Sequence, residues 1–217
     1  MQVSEIISGV YTLDLGGRRR IATRPKAPVS VYGERIVEGY RIWDPFRSKL
    51  GALLLKSHRS DLGLSPASRV LYLGAATGTT VSHVSDMVSL VYAVEFSPRS
   101  MRDLLRLCES RENIVPLLED ASRPESYGAF LEPVDLVYQD VAQRNQAEIA
   151  SRNVARYLKP GGILILMVKT RSVDVTRPPK EVLHAELGRL EGADLQEVVD
   201  LRPYHQDHWA VVAKKSR

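Results

Sequence analysis

The apolar run Val70-Leu71-Tyr72-Leu73 ends directly in Gly74-Ala75-Ala76-Thr77-Gly78-Thr79-Thr80, and a helix-like stretch follows to Val88. Four consecutive buried-type residues suit a strand covered on both faces. Two glycines among small residues let the backbone turn sharply and approach a ligand closely. A strand, a glycine turn and a helix in that order predict a parallel crossover unit. The chain then keeps to that layout. Val91 to Val94, Ile114 to Leu118, Val134 to Tyr138 and Ile163 to Val168 are further apolar strands, and Arg99 to Arg111, Gln146 to Leu158 and Lys180 to Glu191 are helix candidates. Leu195 to Leu201 and Trp209 to Ala213 follow one another without a helix and read as an antiparallel hairpin. The expected architecture is α/β, Rossmann-like, with a mostly parallel seven-stranded sheet and an antiparallel C-terminal strand.

The front of the chain reads as β structure. Val10 to Leu13 is a short strand, Gly16-Gly17 a hairpin-turn pair, and Val29 to Tyr32 and Arg35 to Trp43 bracket a turn at Gly33. Pro45 ends that pattern, and Ser48 to Lys56 forms a short helix with apolar Leu50, Leu53 and Leu54. The expected division is a small β domain over residues 1–50 and a larger domain over 51–217. The formal net charge of +4 lies entirely in the first: residues 1–50 hold nine basic and five acidic side chains, and the remainder holds 21 of each. A local excess of this kind suits a polyanionic partner near the N-terminal part, or a solvated surface. No apolar run approaches the ~20 residues of a membrane span, and Met1 to Glu5 lacks the pattern of a signal peptide. Cys108 is the single cysteine, which excludes an internal disulfide and a cysteine-based zinc site. The five histidines form no HExxH pattern, so no metal is expected, and a reducing, cytoplasmic setting is the default.

Ligands of open parallel sheets bind at the carboxyl ends of the strands. All five candidate strand ends carry polar or ionic residues: Gly74 to Thr80, then Glu95-Phe96, Glu119-Asp120-Ala121, Gln139-Asp140 and Lys169. Glu95 lies 21 positions past Gly74, a spacing that suits an acid holding a ribose diol. The loop is GxxxG; it is neither the dinucleotide fingerprint nor a phosphate-binding P-loop. A nucleoside cofactor without phosphates, such as S-adenosylmethionine, fits it better. Gly74, Ala75, Thr77, Gly78, Thr79 and Thr80 would cradle it and Glu95 would hold its ribose. Phe96 would pack on the adenine, Asp120 and the Ala121 amide would read the adenine edge, and Asp140 suits the methionine ammonium or the chemistry beside it.

Several of these segments also resemble one family. Trp43-Asp44-Pro45-Phe46-Arg47-Ser48-Lys49-Leu50, the run Val70 to Asp86, the run Val91 to Ser97, Glu119-Asp120-Ala121, Asp140-Val141-Ala142-Gln143 and Pro203-Tyr204-His205-Gln206-Asp207-His208 closely resemble fibrillarin. The likeness runs from about Tyr11 to Ala213, and it is to the archaeal form that lacks a Gly/Arg-rich front segment. Asp44 stands where Asn is usual, and Gly51 where Ala is usual. The resemblance implies a class I S-adenosylmethionine-dependent methyltransferase that modifies ribose 2′-hydroxyls of rRNA or tRNA. It implies a box C/D guide RNA, a Nop-domain scaffold protein and a kink-turn-binding ribosomal-type protein as partners. It implies a catalytic set of Lys49, Asp140, Lys169 and His208, and it adds Val141, Ala142 and Gln143 to the cofactor site.

Such chemistry needs a proton removed from a poor nucleophile and an in-line approach to the methyl group. Lys169 would stabilise the forming alkoxide or take the proton, Asp140 would orient the lysine or the cofactor, Lys49 would fix the ribose or a phosphate, and His208 would steer or relay a proton. The residues leave the base open. Arg47, Lys49 and Arg171 are candidate RNA contacts, while Tyr32, Tyr40, Trp43 and Phe46 are read mostly as core of the small domain. His83 is read as packing. The competing readings are a non-catalytic RNA-binding subunit that has kept the fold, and a nucleoside-cofactor enzyme of another kind.

Overall fold

The computed structural model describes residues 2–26 and 29–216. A small antiparallel sheet comes first, built from β1 (Val3–Ile7), β2 (Val10–Asp14), β3 (Arg19–Thr23), β4 (Ile36–Val37) and β5 (Tyr40–Trp43) in the order β1-β2-β3-β5-β4. Helix α1 (Lys49–Lys56) leads into the larger unit: β6 (Arg69–Leu73), α2 (Thr79–Met87), β7 (Leu90–Glu95), α3 (Pro98–Cys108), β8 (Ile114–Leu118), β9 (Val134–Gln139), α4 (Gln146–Tyr157) and β10 (Leu158–Lys169). The short α5 (Thr170–Val173), then α6 (Pro179–Leu187), β11 (Ala193–Asp200) and β12 (His208–Lys215) complete it. The seven-stranded sheet has the order β11-β12-β10-β9-β6-β7-β8. Strands β6 to β10 are parallel, and β12 runs antiparallel between β10 and β11.

The near-continuous apolar strands follow from burial on both faces. Val70 and Tyr72 of β6 join one core cluster, and Leu71 and Leu73 join the other. β10 divides likewise, with Ile163, Ile165 and Met167 against Leu164, Leu166 and Val168. The first cluster also takes in Val10, Ile21 and Trp43 of the small sheet with Leu50 and Leu53 of α1, so the two sheets share one continuous core. Among the described residues, no helix is long and apolar enough to cross a membrane.

Several expectations about the front of the chain change. Val29 to Tyr32 is not a strand. The Glu34 carboxylate accepts from the Val31 amide at 3.0 Å, the Tyr32 amide at 2.8 Å and the Ser30 hydroxyl at 3.0 Å, so no ladder partner is needed there. The tight turn falls at Glu38-Gly39, between β4 and β5, rather than at Gly33. β1 and β3 were hidden from the apolar pattern: all five β1 side chains are at least partly exposed, and β3 opens with Arg19-Arg20.

The basic excess is also not all surface. Arg41 is fully buried and forms ion pairs of 2.6 Å with both Glu34 and Asp86, while donating to Ser82 Oγ at 2.9 Å. Arg111 pairs with the other oxygen of Asp86. Two guanidinium groups and two carboxylates thus neutralise one another where the small sheet meets α2. His83 lies beside them, stacked on Trp43 with ring centroids 4.5 Å apart. Its role exceeds packing. Thr23 Oγ1 must donate to the Asp86 carboxylate (3.0 Å), so His83 Nδ1–H donates to Thr23 (2.9 Å) and the Tyr32 hydroxyl donates to Nε2 (2.7 Å). Burial, reinforced by Arg41 and Arg111, holds the His83 pKa well below the usual imidazole value and keeps the ring neutral.

Removing one partner from such a cluster leaves uncompensated buried charge. Asp86→Asn is expected to destabilise the fold by about 3–5 kcal/mol, read as a lower urea midpoint at unchanged slope. A shift below about 1 kcal/mol would mean that water reaches the cluster.

Candidate active site

The strand order reverses at β6, which has β7 on one side and β9 on the other. The crevice at the carboxyl ends of these strands is therefore the expected ligand site. Gly74 and Gly78 both have positive φ (86° and 89°), and Ala76 between them stands at φ 50°. A Cβ on Gly74 would lie 2.5 Å from the Asp140 carbonyl oxygen, so only glycine lets the loop pass that close to the end of β9. Glu95 stabilises the strained Ala76: its Oε2 accepts the Ala76 amide at 2.8 Å, and its Oε1 accepts the Ser97 amide at 2.8 Å. The carboxylate is nearly buried, with lone-pair capacity left for a diol. Phe96 stands at the rim, 71% exposed.

Across the crevice, Asp120 Oδ1 accepts the Ser122 amide at 2.8 Å. Burial pushes its carboxyl up, but Ser122, Gln143 and Arg123 outweigh that and keep it ionised as an acceptor. The Ala121 peptide is fixed by Asn153 Nδ2 (2.9 Å) and the Tyr127 hydroxyl (3.3 Å), both donating to its carbonyl. Val141 is buried, Ala142 exposed and Gln143 in between. Thr77 is exposed and Thr79 opens α2. Thr80 also has a structural task. Its hydroxyl donates to Ser48 Oγ at 3.0 Å, and Ser48 caps α1 by accepting the Gly51 amide at 3.1 Å. This ties the glycine loop to the helix that starts with Lys49.

Lys49, Asp140 and Lys169 come together. Lys49 Nζ is 3.0 Å from Asp140 Oδ2, and Lys169 Nζ is 2.8 Å from Oδ1, each side chain being 16–18% exposed. Lys169 lies off the line of a hydrogen bond to Oδ1 and donates instead to the Asp140 carbonyl at 3.4 Å. Oδ1 is thus buried beside a cation with no well-aligned donor. Burial alone would raise the Asp140 pKa; the two ammonium groups overcome it and hold the carboxyl below its ordinary range. Two cations about one anion leave a net positive pocket, suited to an oxygen gaining negative charge.

His208 joins through register: it pairs with Lys169 across the β10–β12 ladder. Among the described residues it forms no ion pair with Asp140. Its Nδ1–H donates to the Gln206 carbonyl, which leaves Nε2 as the basic nitrogen. Burial lowers its pKa, and Lys49 adds to that effect. Arg171 is less free than a surface arginine: it donates to Asp207 Oδ2 at 3.1 Å and to the Val175 carbonyl at 3.0 Å, bracing the turn before His208. Arg47 is exposed, its guanidinium 4.7 Å from the Tyr32 ring centre.

Three contributors escaped the sequence reading. Ala76 supplies an amide to Glu95, and Ser48 sets the position of Lys49. Gln146 is fully buried; its Oε1 accepts the Lys169 amide at 2.9 Å and its Nε2 donates to the Gln143 carbonyl at 2.9 Å. A glutamine opening a helix gives no sequence signal of that kind. The cofactor fit rests on the Gly74 approach, the Glu95 acceptor and the orphaned buried Asp140 oxygen together. Gly74→Ala is expected to cost about 2–3 kcal/mol in chemical denaturation and to abolish S-adenosylmethionine binding in calorimetry; unchanged binding would remove the loop from the site.

The profile of the fibrillarin family matches residues 1–217. A relative from Methanothrix thermoacetophila, named as a fibrillarin-like rRNA/tRNA 2′-O-methyltransferase, is 55% identical over 99% of this chain and 100% of its own. A chain of a fibrillarin/Nop5p complex superposes with a TM-score of 0.90 at 45% identity, covering 98% of this chain and 100% of that one. The fibrillarin of Aeropyrum pernix, solved with natively bound S-adenosyl-L-methionine, gives 0.86 at 43% identity over 98% and 99%. A full-length profile match, that identity and the superposed fold together place the chain in the fibrillarin family.

Proposed function

We propose that the protein transfers a methyl group from S-adenosylmethionine to ribose 2′-hydroxyls of rRNA and tRNA, at sites chosen by a box C/D guide RNA, and so acts in pre-rRNA and tRNA processing. The carrying observation is the Lys49–Asp140–Lys169 cluster at the end of β9 and β10, beside a loop shaped for a nucleoside. When bound, S-adenosylmethionine supplies an electrophilic methyl group. Gly74, Ala75, Gly78 and Thr79 form the backbone cradle, with Thr77 at its edge. Glu95 would accept from the cofactor's ribose, Phe96, Asp120 and the Ala121 amide would hold its adenine, and Val141, Ala142 and Gln143 would complete the site.

The protein's own groups then act on the target ribose. Asp140 holds the two lysines in place. Lys169 stabilises the developing oxyanion, and Lys49 fixes the ribose or its phosphate. His208 is the proton acceptor: its lowered pKa keeps it neutral at pH 7, and Nδ1 is committed to Gln206, so Nε2 carries the lone pair. Guide pairing supplies sequence, so the protein needs only shape and backbone contacts, for which Arg47 and Lys49 are placed. The scaffold is a Nop-domain protein, and a kink-turn-binding ribosomal-type protein nucleates the particle. Residues 1–50 act as a buttress for α1 and α2, with residues 51–217 as the catalytic domain, in the cytoplasm.

The direct test is mass analysis of target RNA after incubation with cofactor, guide and scaffold. Lys169→Ala is expected to slow transfer about 100-fold or more, with S-adenosylmethionine affinity little altered; an intact rate would overturn the assignment. The pH dependence has a definite sign. A base with a lowered pKa works above that value and fails as pH falls through it, so transfer should decline only below about 6.5. His208→Ala should be slow and lack that acid limb, whereas an unchanged limb would place the base elsewhere.

A further inference from the structure

A lysine ammonium rides on a long flexible stem, so it is placed only as well as its main chain is held. For Lys169 that hold does not come from β9. The ladder between β9 and β10 ends where Leu166 faces Gln139, and β10 runs on for three more residues. At Lys169 the backbone leaves regular strand geometry (φ −98°, ψ 88°) to enter α5. The contact it must deliver has little slack: Nζ is 2.8 Å from Asp140 Oδ1 but off the hydrogen-bond line, and 3.4 Å from the Asp140 carbonyl. A small movement of the Lys169 main chain would break it.

The Gln146 side chain serves where β9 stops. Its Oε1 accepts the Lys169 amide at 2.9 Å, and its Nε2 donates to the Lys169 carbonyl at 3.3 Å. One primary amide thus meets both main-chain groups of that residue, as a neighbouring strand would. The other Nε2 hydrogen goes to the Gln143 carbonyl at 2.9 Å. An N–H on one side and two carbonyls on the other fix which way the amide faces. Gln146 is itself anchored. Gln139, the residue before Asp140, donates from Nε2 to the Gln146 carbonyl at 2.7 Å, and Glu186 Oε2 accepts the Ala147 amide at 2.9 Å. Gln139, Gln146 and Glu186 are each at most 1% exposed, so water does not compete for these bonds. The segment that carries Asp140 therefore fixes the main chain of Gln146, and the side chain of Gln146 fixes the main chain of Lys169.

We propose that Gln146 is a positioning residue for methyl transfer: its buried side-chain amide sets the Lys169 ammonium against Asp140, and it acts on the reaction through Lys169 alone. This rests on the methyltransferase reading above. Few side chains offer the pattern. A glutamate in its place loses both donors, and an asparagine falls one methylene short of the Lys169 main chain.

The test uses the protein alone and in the particle assembled with guide RNA and scaffold. Gln146→Met keeps the length of the side chain and removes its hydrogen bonds; Gln146→Asn replaces it if the methionine variant does not fold. Either is expected to lower kcat about tenfold at saturating S-adenosylmethionine, with KM for target RNA unchanged. Added to Lys169→Ala, the same substitution should cost less than about twofold more, because the group it places is gone. Val154→Ala, which loosens the buried face of the same helix, should leave kcat native. In the protein alone, the ammonium NMR signals of Lys169 and Lys49, assigned through their alanine variants, report placement directly. Gln146→Met should shift or broaden the first and keep the second. A native kcat, an unchanged Lys169 signal, or losses that add fully to Lys169→Ala would each overturn the proposal. So would a loss that disappears at saturating cofactor with weaker binding in calorimetry, which would make Gln146 a support of the Gln143 segment instead. A native protein that methylates no target would sink the functional reading, and the ammonium signals would still decide whether Gln146 places Lys169.

Discussion

Asp86 is the residue on which the arrangement of the molecule turns. Its carboxylate lies between two buried guanidiniums, one from the small sheet and one from the loop after α3, and it also accepts from Thr23. Because Asp86 lies on α2, the helix that follows the glycine loop, the small sheet is held to the cofactor side of the large one. That attachment sets the direction of the chain as it leaves β5 for α1. Lys49 then enters the site from outside the sheet, as the first residue of a helix capped by Ser48 and tied to Thr80. The basic character of the front segment is thus partly architectural: Arg41 is spent on folding.

The strand-borne part of the site is assembled from five separated stretches of chain by two simple devices. Parallel strands deliver Glu95, Asp120, Asp140 and Lys169 to one end of the sheet. An antiparallel strand delivers His208 to the same end, because its beginning lies where its neighbour finishes. Three ionic groups in partial burial would be costly singly. Together Lys49, Asp140 and Lys169 satisfy one another and leave a surplus positive charge at the strand ends.

Much of this was legible before any coordinates. Strand ends in an α/β chain can be read from where apolar runs stop, so Glu95, Asp120, Asp140 and Lys169 were identifiable as convergent residues. The hairpin at the end was legible from two strands without an intervening helix. Missed features depend on contacts between distant residues. Val29 to Tyr32 has the composition of a strand, but Glu34 captures its amides. β1 is exposed along its length and so carries no burial pattern. Ser48, Thr80 and Gln146 position other residues through hydrogen bonds that no spacing rule encodes. Arg41 looks like any surface arginine until its two carboxylates are seen.

Among the described residues, β12 pairs only with β10 and β11, both of which precede it in the chain. During synthesis, then, the strands that carry the glycine loop, Glu95, Asp140 and Lys169 all emerge before β12, and β11 has no neighbour in the sheet until β12 arrives. His208 comes with the strand that joins β11 to β10. Completion of the sheet and arrival of His208 are the same event, so a partly unravelled chain can keep the crevice at the strand ends while lacking that imidazole. Competence for chemistry is in this way a readout of finished folding.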